Sequence, residues 1–130
     1  YVQRGDRVLH PCAEEVRPLL AEALRRMGAE MTQIVAYRTL VPAESREKAT
    51  ALLAEGKIDA VTFTSSSTVK NLVKLLDGNV ALLKGPAIAC IGPVTAATAR
   101  ELGLVVHVEA QVHTIPGLVD ALKGWFGAGR

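Results

Sequence analysis

Two short runs, "IDAVTFT" (residues 58–64) and "AIACIG" (residues 87–92), constrain the fold of this chain more than any other feature. Both consist mainly of apolar residues, and neither carries a charge past Asp59. A strand with one wet face alternates polar and apolar residues, whereas a strand covered on both faces does not. Each run leads into a helical pattern: Val69, Leu72, Val73 and Leu76 after the first, "PVTAATARELG" after the second. Such strands, joined through helices, form a parallel sheet with right-handed crossovers.

The same alternation runs along the whole chain. "RVLHP" (residues 7–11) reads as a strand ending at Pro11, and Val16, Leu19, Leu20, Ala23, Leu24 and Met27 follow at helical spacing up to Gly28. Pro18 either lies in the first turn of that helix, where its missing N–H costs little, or kinks it. "TQIVAYR" (residues 32–38) is the second strand, and Pro42 suits the first position of a helix that Gly56 ends. "NVALLKG" is a short helical or irregular piece before Pro86. "LVVHVEA" (residues 104–110) is the fifth strand, with His107 on its face. "TIPGLVDALKGWF" is the last helix, capped by Thr114, and the tail "GAGR" is expected to fray. Five strand–helix pairs predict an α/β fold: one five-stranded parallel sheet with helices on both faces, in the flavodoxin-like order 2-1-3-4-5.

Composition removes several function classes. The 15 basic and 13 acidic side chains leave a net charge of +2, too weak to draw nucleic acid or an anionic membrane. No apolar run approaches the ~20 residues of a membrane span. The two cysteines make no disulfide framework; Cys90 reads as a small core residue, and a reducing, cytoplasmic setting is expected. The start at Tyr1 suggests a piece of a longer protein.

In an open parallel sheet the ligand crevice lies beyond the carboxyl ends of the strands. The loops there are "HPCAEE", "TSSST", "GPVT" and "QVHT", and three of the four place hydroxyls at a helix start. A helix start offers unpaired N–H groups and a partial positive charge, so it holds a carboxylate or phosphate without Arg or Lys. Thr64, Ser65, Ser66, Ser67 and Thr68 form the densest such stretch. Capping needs only one or two hydroxyls, with Ser66 or Ser67 as the ordinary N-cap. Thr95 differs: Pro93 takes the first helical position, so Thr95 lies inside the first turn. Dinucleotide, P-loop and nucleophile-elbow motifs are absent. His10, Cys12 and His113 match no zinc spacing, so no metal is expected. A phosphoacceptor domain would need acids where "HPC" and "TSSS" stand.

The segments "GDRVLHPCAEEVRPLLAEALRRMGAEMTQIVAYRT", "DAVTFTSSS" and "AIACIGPVTAATARELG", in this order and spacing, resemble the uroporphyrinogen-III synthase family over about residues 5–126. The resemblance implies half of a two-lobed synthase fold. Residues 1–38 look like the strand–helix–strand end of the second lobe and residues 39–130 like the returning part of the first. Two arrangements follow: the pieces close together as one flavodoxin-like domain, or a second chain completes the fold as a dimer.

The resemblance further implies a lyase without cofactor. Its substrate is hydroxymethylbilane, a linear tetrapyrrole with eight carboxylates. Ring A loses its hydroxyl as water, ring D attacks through a spiro intermediate, and the macrocycle closes with ring D inverted. Tyr37 of "YRT" matches the family tyrosine that assists hydroxyl departure. Thr64, Ser65, Ser66, Ser67, Gly92, Pro93 and Thr95 match the loops that hold substrate. Cys12 stands where the family often has a basic residue, while Arg17 keeps its place. An isolated half-cleft is expected to lose activity. The alternative from the residues alone is a flavodoxin-like module that binds an anion or flavin without catalysis. Against it, the hydroxyl-rich loop follows strand three rather than strand one.

Overall fold

The computed structural model describes residues 1–38 and 40–128. Thr39 of "YRT" and the tail residues Gly129 and Arg130 lie outside them. The chain divides into two units, Tyr1–Leu40 and Val41–Arg130.

The first unit is β1 (Arg7–Ala13), α1 (Leu19–Arg26) and β2 (Glu30–Tyr37). The strands pair in parallel from Arg7 opposite Glu30 to Ala13 opposite Tyr37, with a bulge after Cys12. Pro11 does not end β1, contrary to the sequence reading. The N–H of Glu30 donates to Asp6 and that of Glu14 to Tyr37. The even-numbered residues of β1 therefore face β2, and Pro11 turns its donorless nitrogen to the open edge. Pro18 immediately precedes α1, where a missing N–H breaks no helical bond. Gly28 ends the helix at φ +88.

The second unit runs α2 (Ala43–Ala54), β3 (Ala60–Phe63), α3 (Ser66–Leu75), a 3₁₀ turn (Val80–Leu83), β4 (Ala87–Cys90), α4 (Pro93–Glu101), β5 (Val108–Glu109) and α5 (Ile115–Gly127). Pro42 stands just before α2, not in its first position, because its ψ of 133 is still extended. The strands form a parallel sheet in the order β3-β4-β5. All four residues of β4 are buried. Ile88 and Cys90 face Phe63, Val69, Ala96 and Ala99, while Ala89 faces Val108, Ala110 and Leu118. Strand β4 thus has helices on both faces, as its composition predicts. Strand β3 does not, since Thr62 remains exposed on the sheet edge.

Two expectations are corrected. The five strands do not form one five-stranded sheet; the described residues hold a two-stranded and a three-stranded parallel sheet. Counting strand–helix pairs specifies parallel direction and crossover hand. It does not specify which strand pairs with which, because every backbone carries the same donors and acceptors. The fifth strand is also far shorter than residues 104–110. At its start a side chain stands in for the backbone: His107 Nδ1 accepts the N–H of Ile88 at 3.0 Å, where a longer strand would offer a carbonyl.

Candidate functional site

Three loops at the carboxyl ends of β3, β4 and β5 lead into α3, α4 and α5. In the first, Ser65 is the N-cap of α3, extended at φ -158. Its hydroxyl accepts the N–H of Thr68 at 3.2 Å, and Thr68 Oγ1 accepts the N–H of Ser65 at 3.3 Å. This reciprocal capping box corrects the assignment of the cap to Ser66 or Ser67. Ser67 Oγ lies 3.0 Å from Ser65 Oγ. Thr64 is exposed at the end of the strand.

Ser66 does something else. Its hydroxyl reaches across to α4, receiving the Thr98 hydroxyl at 2.9 Å and lying 3.5 Å from the carbonyl oxygen of Val94. The third loop is tied to the second through Gly92. A Cβ on Gly92 would stand 3.1 Å from the His113 ring, so the missing side chain is what lets that ring come close. Thr114 caps α5 by accepting the N–H of Gly117 at 3.1 Å, as the sequence predicts.

The start of α4 is organised differently. Its N-cap is Gly92, with Pro93 in the first position, and among the described residues no side chain caps it. The N–H groups of Val94 and Thr95 have no helical acceptor, nor do those of Ser66 and Ser67 in the first turn of α3. Two neighbouring helix starts therefore present four open amides. Residues 64–68, 92–95 and 110–114 contain no Asp, Glu, Lys or Arg, so nothing there repels an anion or neutralises it in advance. Thr95 is 5% exposed, the one buried polar residue among the described ones, and Pro93 beside it is exposed. This edge can bind carboxylates through amides and hydroxyls. It offers no strong acid or base.

Tyr37 ends β2 in the first unit, with 62% of its surface exposed. Cys12 is buried and its thiol donates to the Ile34 carbonyl at 3.5 Å, while Arg17 is exposed. A cavity of about 190 Å³ lies at the opposite, amino end of the three-stranded sheet, beside Val80, Leu83, Leu104 and His107. No described helix is long and apolar enough to cross a membrane.

The family model described as "Uroporphyrinogen-III synthase HemD" matches residues 1–120. The chain belongs to the uroporphyrinogen-III synthase family. A uroporphyrinogen-III synthase of Synechococcus elongatus is 36% identical over 127 residues, covering 93% of this chain and 48% of its own length. A putative uroporphyrinogen-III synthase of Methanothermobacter thermautotrophicus is 35% identical, covering 91% and 49%. The chain thus spans about half the length of these relatives. Among solved structures, the Helicobacter pylori uroporphyrinogen-III synthetase superposes with a TM-score of 0.68 at 18% identity, covering 92% of this chain and 53% of that one. The Thermus thermophilus uroporphyrinogen III synthase gives 0.62 at 22%, covering 97% and 52%. At these identities the likeness is one of fold.

For this member of the uroporphyrinogen-III synthase family, the sequence does not by itself disclose the roles of Thr98 or of the His107 ring, which it places only on the face of the fifth strand. Thr98 looks like any small residue in the body of an alanine-rich helix. Its one sequence signal is the spacing of four from Val94, which lets a threonine hydroxyl reach back to that carbonyl.

Proposed function

We propose that this chain forms the carboxylate-holding part of a uroporphyrinogen-III synthase cleft. The substrate is hydroxymethylbilane, and the reaction is loss of the ring A hydroxyl as water, attack by ring D through a spiro intermediate, and closure with ring D inverted. The observation that carries this reading is the pair of adjacent helix starts whose open amides, at Ser66, Ser67, Val94 and Thr95, lie in loops without charged side chains. A flexible polycarboxylate needs several weak, well-spaced anion holders, because catalysis consists largely of bringing ring D to ring A. The departing hydroxyl leaves a cation stabilised by its own pyrrole, so the edge requires no strong acid. Tyr37 assists the hydroxyl's departure by hydrogen bonding. Thr64, Ser65, Ser66, Ser67, Gly92, Pro93 and Thr95 hold propionate and acetate groups, and no cofactor takes part.

The first unit is read as the end of the second lobe of the synthase and the second as the returning part of the first lobe. Leu9 is 60% exposed and Ile34 45%, on one face of the β1–β2 sheet. We propose that alone in solution the chain covers this face by dimerising. Light scattering after gel filtration tests it: a dimer is expected, and a monomer throughout the micromolar range overturns it.

The functional reading is tested in a synthase that contains this sequence. Tyr37→Phe and Thr95→Val should each lower the rate of type III isomer formation and raise the share of the type I isomer. If neither changes the rate or the isomer ratio, the assignment of these residues is wrong.

A further inference from the structure

Thr98 lies one turn into α4, outside the loops that would touch a substrate. Its Oγ1 is 2.9 Å from Ser66 Oγ and 3.2 Å from the carbonyl oxygen of Val94, and Ser66 Oγ is 3.5 Å from that same carbonyl. Three oxygens thus form a closed triangle across two helices. Two of them carry a proton and all three can accept, so both hydroxyls are satisfied in either direction of donation.

The triangle joins two of the four residues whose amides are open at this edge, Ser66 and Val94. Ser66 opens α3 with an unpaired amide. Val94 carries another at the start of α4, and its carbonyl is a corner of the triangle. Ser67 and Thr95, the residues that follow these two, carry the others. Among the described residues no ladder bond links the first turn of α3 to the first turn of α4; the strands beneath pair from Ala60 opposite Ala87 to Phe63 opposite Cys90, and the Ile91 N–H donates to the Phe63 carbonyl at 3.0 Å just past them. Beyond that point, among the described residues, the hydroxyl triangle ties the two helix starts.

We propose that Thr98 is a positioning residue for this edge: its hydroxyl holds Ser66 against Val94, and so sets the spacing of the two anion-holding helix starts. The proposal rests on the reading of the edge as a holder of tetrapyrrole carboxylates. Through this spacing Thr98 acts on affinity without touching the ligand. A valine at this position keeps the size and branching of threonine and removes the hydroxyl. It leaves Ser66 with the long 3.5 Å approach to Val94 alone.

The test is a titration of the chain with uroporphyrin III, a tetrapyrrole octacarboxylate, followed by fluorescence polarisation. It is run on the wild type, Thr98→Val and Thr98→Ser, with the thermal midpoint measured for each. Thr98→Val should bind about five- to tenfold more weakly, the worth of one net hydrogen bond. Thr98→Ser, which keeps the hydroxyl, should stay within about twofold of wild type. Should Thr98→Val not fold, Thr98→Ala removes the same hydroxyl and the same outcomes apply. Wild-type affinity in Thr98→Val alongside a lowered midpoint makes Thr98 purely structural and overturns the proposal, while the reading of the edge stands. Failure of Thr98→Ser to recover binding also overturns it. If the wild type binds without shifting the amide resonances of Ser66, Ser67, Val94 and Thr95, or does not bind, the reading of the edge fails and the proposal falls with it.

Discussion

His107 Nδ1 accepts the backbone N–H of Ile88 at 3.0 Å, while the N–H of His107 donates back to the Ile88 carbonyl at 2.9 Å. Ile88 is fully buried, so its N–H has no water to fall back on. The accepting Nδ1 requires the ring proton on Nε2. The same ring meets Trp125 edge-on at 5.7 Å. His107→Phe keeps a ring for Trp125 and removes the acceptor, and should cost about 1–3 kcal/mol. His107→Asn loses the ring but can place Oδ1 near the position of Nδ1. Hydrogen exchange separates the two effects: the Ile88 amide should exchange faster in His107→Phe and not in His107→Asn. Unchanged exchange in both variants would show that this bond contributes nothing to local stability.

Cys90 is fully buried on β4, and that burial pushes its thiol from 9.0 up to about 11, with Glu109 raising it further and Arg100 opposing. Between these values the unfolded chain has released a proton that the folded chain keeps. The thiol's contribution to stability is therefore complete below pH 9 and lost as pH rises toward 11. Denaturant midpoints taken from pH 8 to 11 for wild type and Cys90→Ala should converge at the alkaline end. Parallel curves would remove Cys90 from the alkaline transition.

How much of this was legible in the sequence depends on what each residue's neighbours had to be. Strand β4, the α4 start at Pro93 and the Thr114 cap follow from local rules about apolar runs, proline geometry and hydroxyl caps. The sheet pairing does not, because it is made by backbone groups that every residue shares. The short β5 was not legible either, and at its start an imidazole supplies a bond that a carbonyl usually makes. At the candidate site the hydroxyl cluster was visible, but its division of labour was not. Ser65 and Thr68 cap, Ser66 reaches Thr98 at 2.9 Å, and open amides sit at both helix starts, at Ser66 and Ser67 of α3 and at Val94 and Thr95 of α4. Which of five adjacent hydroxyls takes which task depends on where α4 lies.

That division of labour separates stability from binding at neighbouring positions. Ser65→Ala breaks the capping box and should destabilise the chain by about 1 kcal/mol. Ser67→Ala, at an exposed position with one hydroxyl contact, should stay within about 0.5 kcal/mol. Urea unfolding measures both. Equal losses at the two positions would contradict the assignment of Ser65 as the cap.

Two glycines at this edge should respond to alanine in opposite ways. At Gly117 a Cβ would stand 2.0 Å from the carbonyl oxygen of Val112, and the glycine's own N–H is held by Thr114 Oγ1 at 3.1 Å. A backbone oxygen cannot step aside without moving the loop, and the start of α5 moves with it. Gly117→Ala should therefore cost about 2 kcal/mol or more, read as a lowered thermal midpoint. At Gly92 the nearest atoms are Cδ2 and Cγ of His113, both 3.1 Å away, and His113 is exposed. An exposed ring can rotate by the few tenths of an ångström required. Gly92 is also extended, at φ -174, so alanine meets no backbone strain there. Gly92→Ala should leave the midpoint within about 2 °C. Its effect should appear in binding, because the displaced ring and the new methyl group both stand beside the open amides of Val94 and Thr95. Weaker binding of uroporphyrin III with an unchanged midpoint is the expected result for Gly92→Ala. A midpoint loss as large as that of Gly117→Ala would instead mean that His113 is held in place by more than its contact with Gly92.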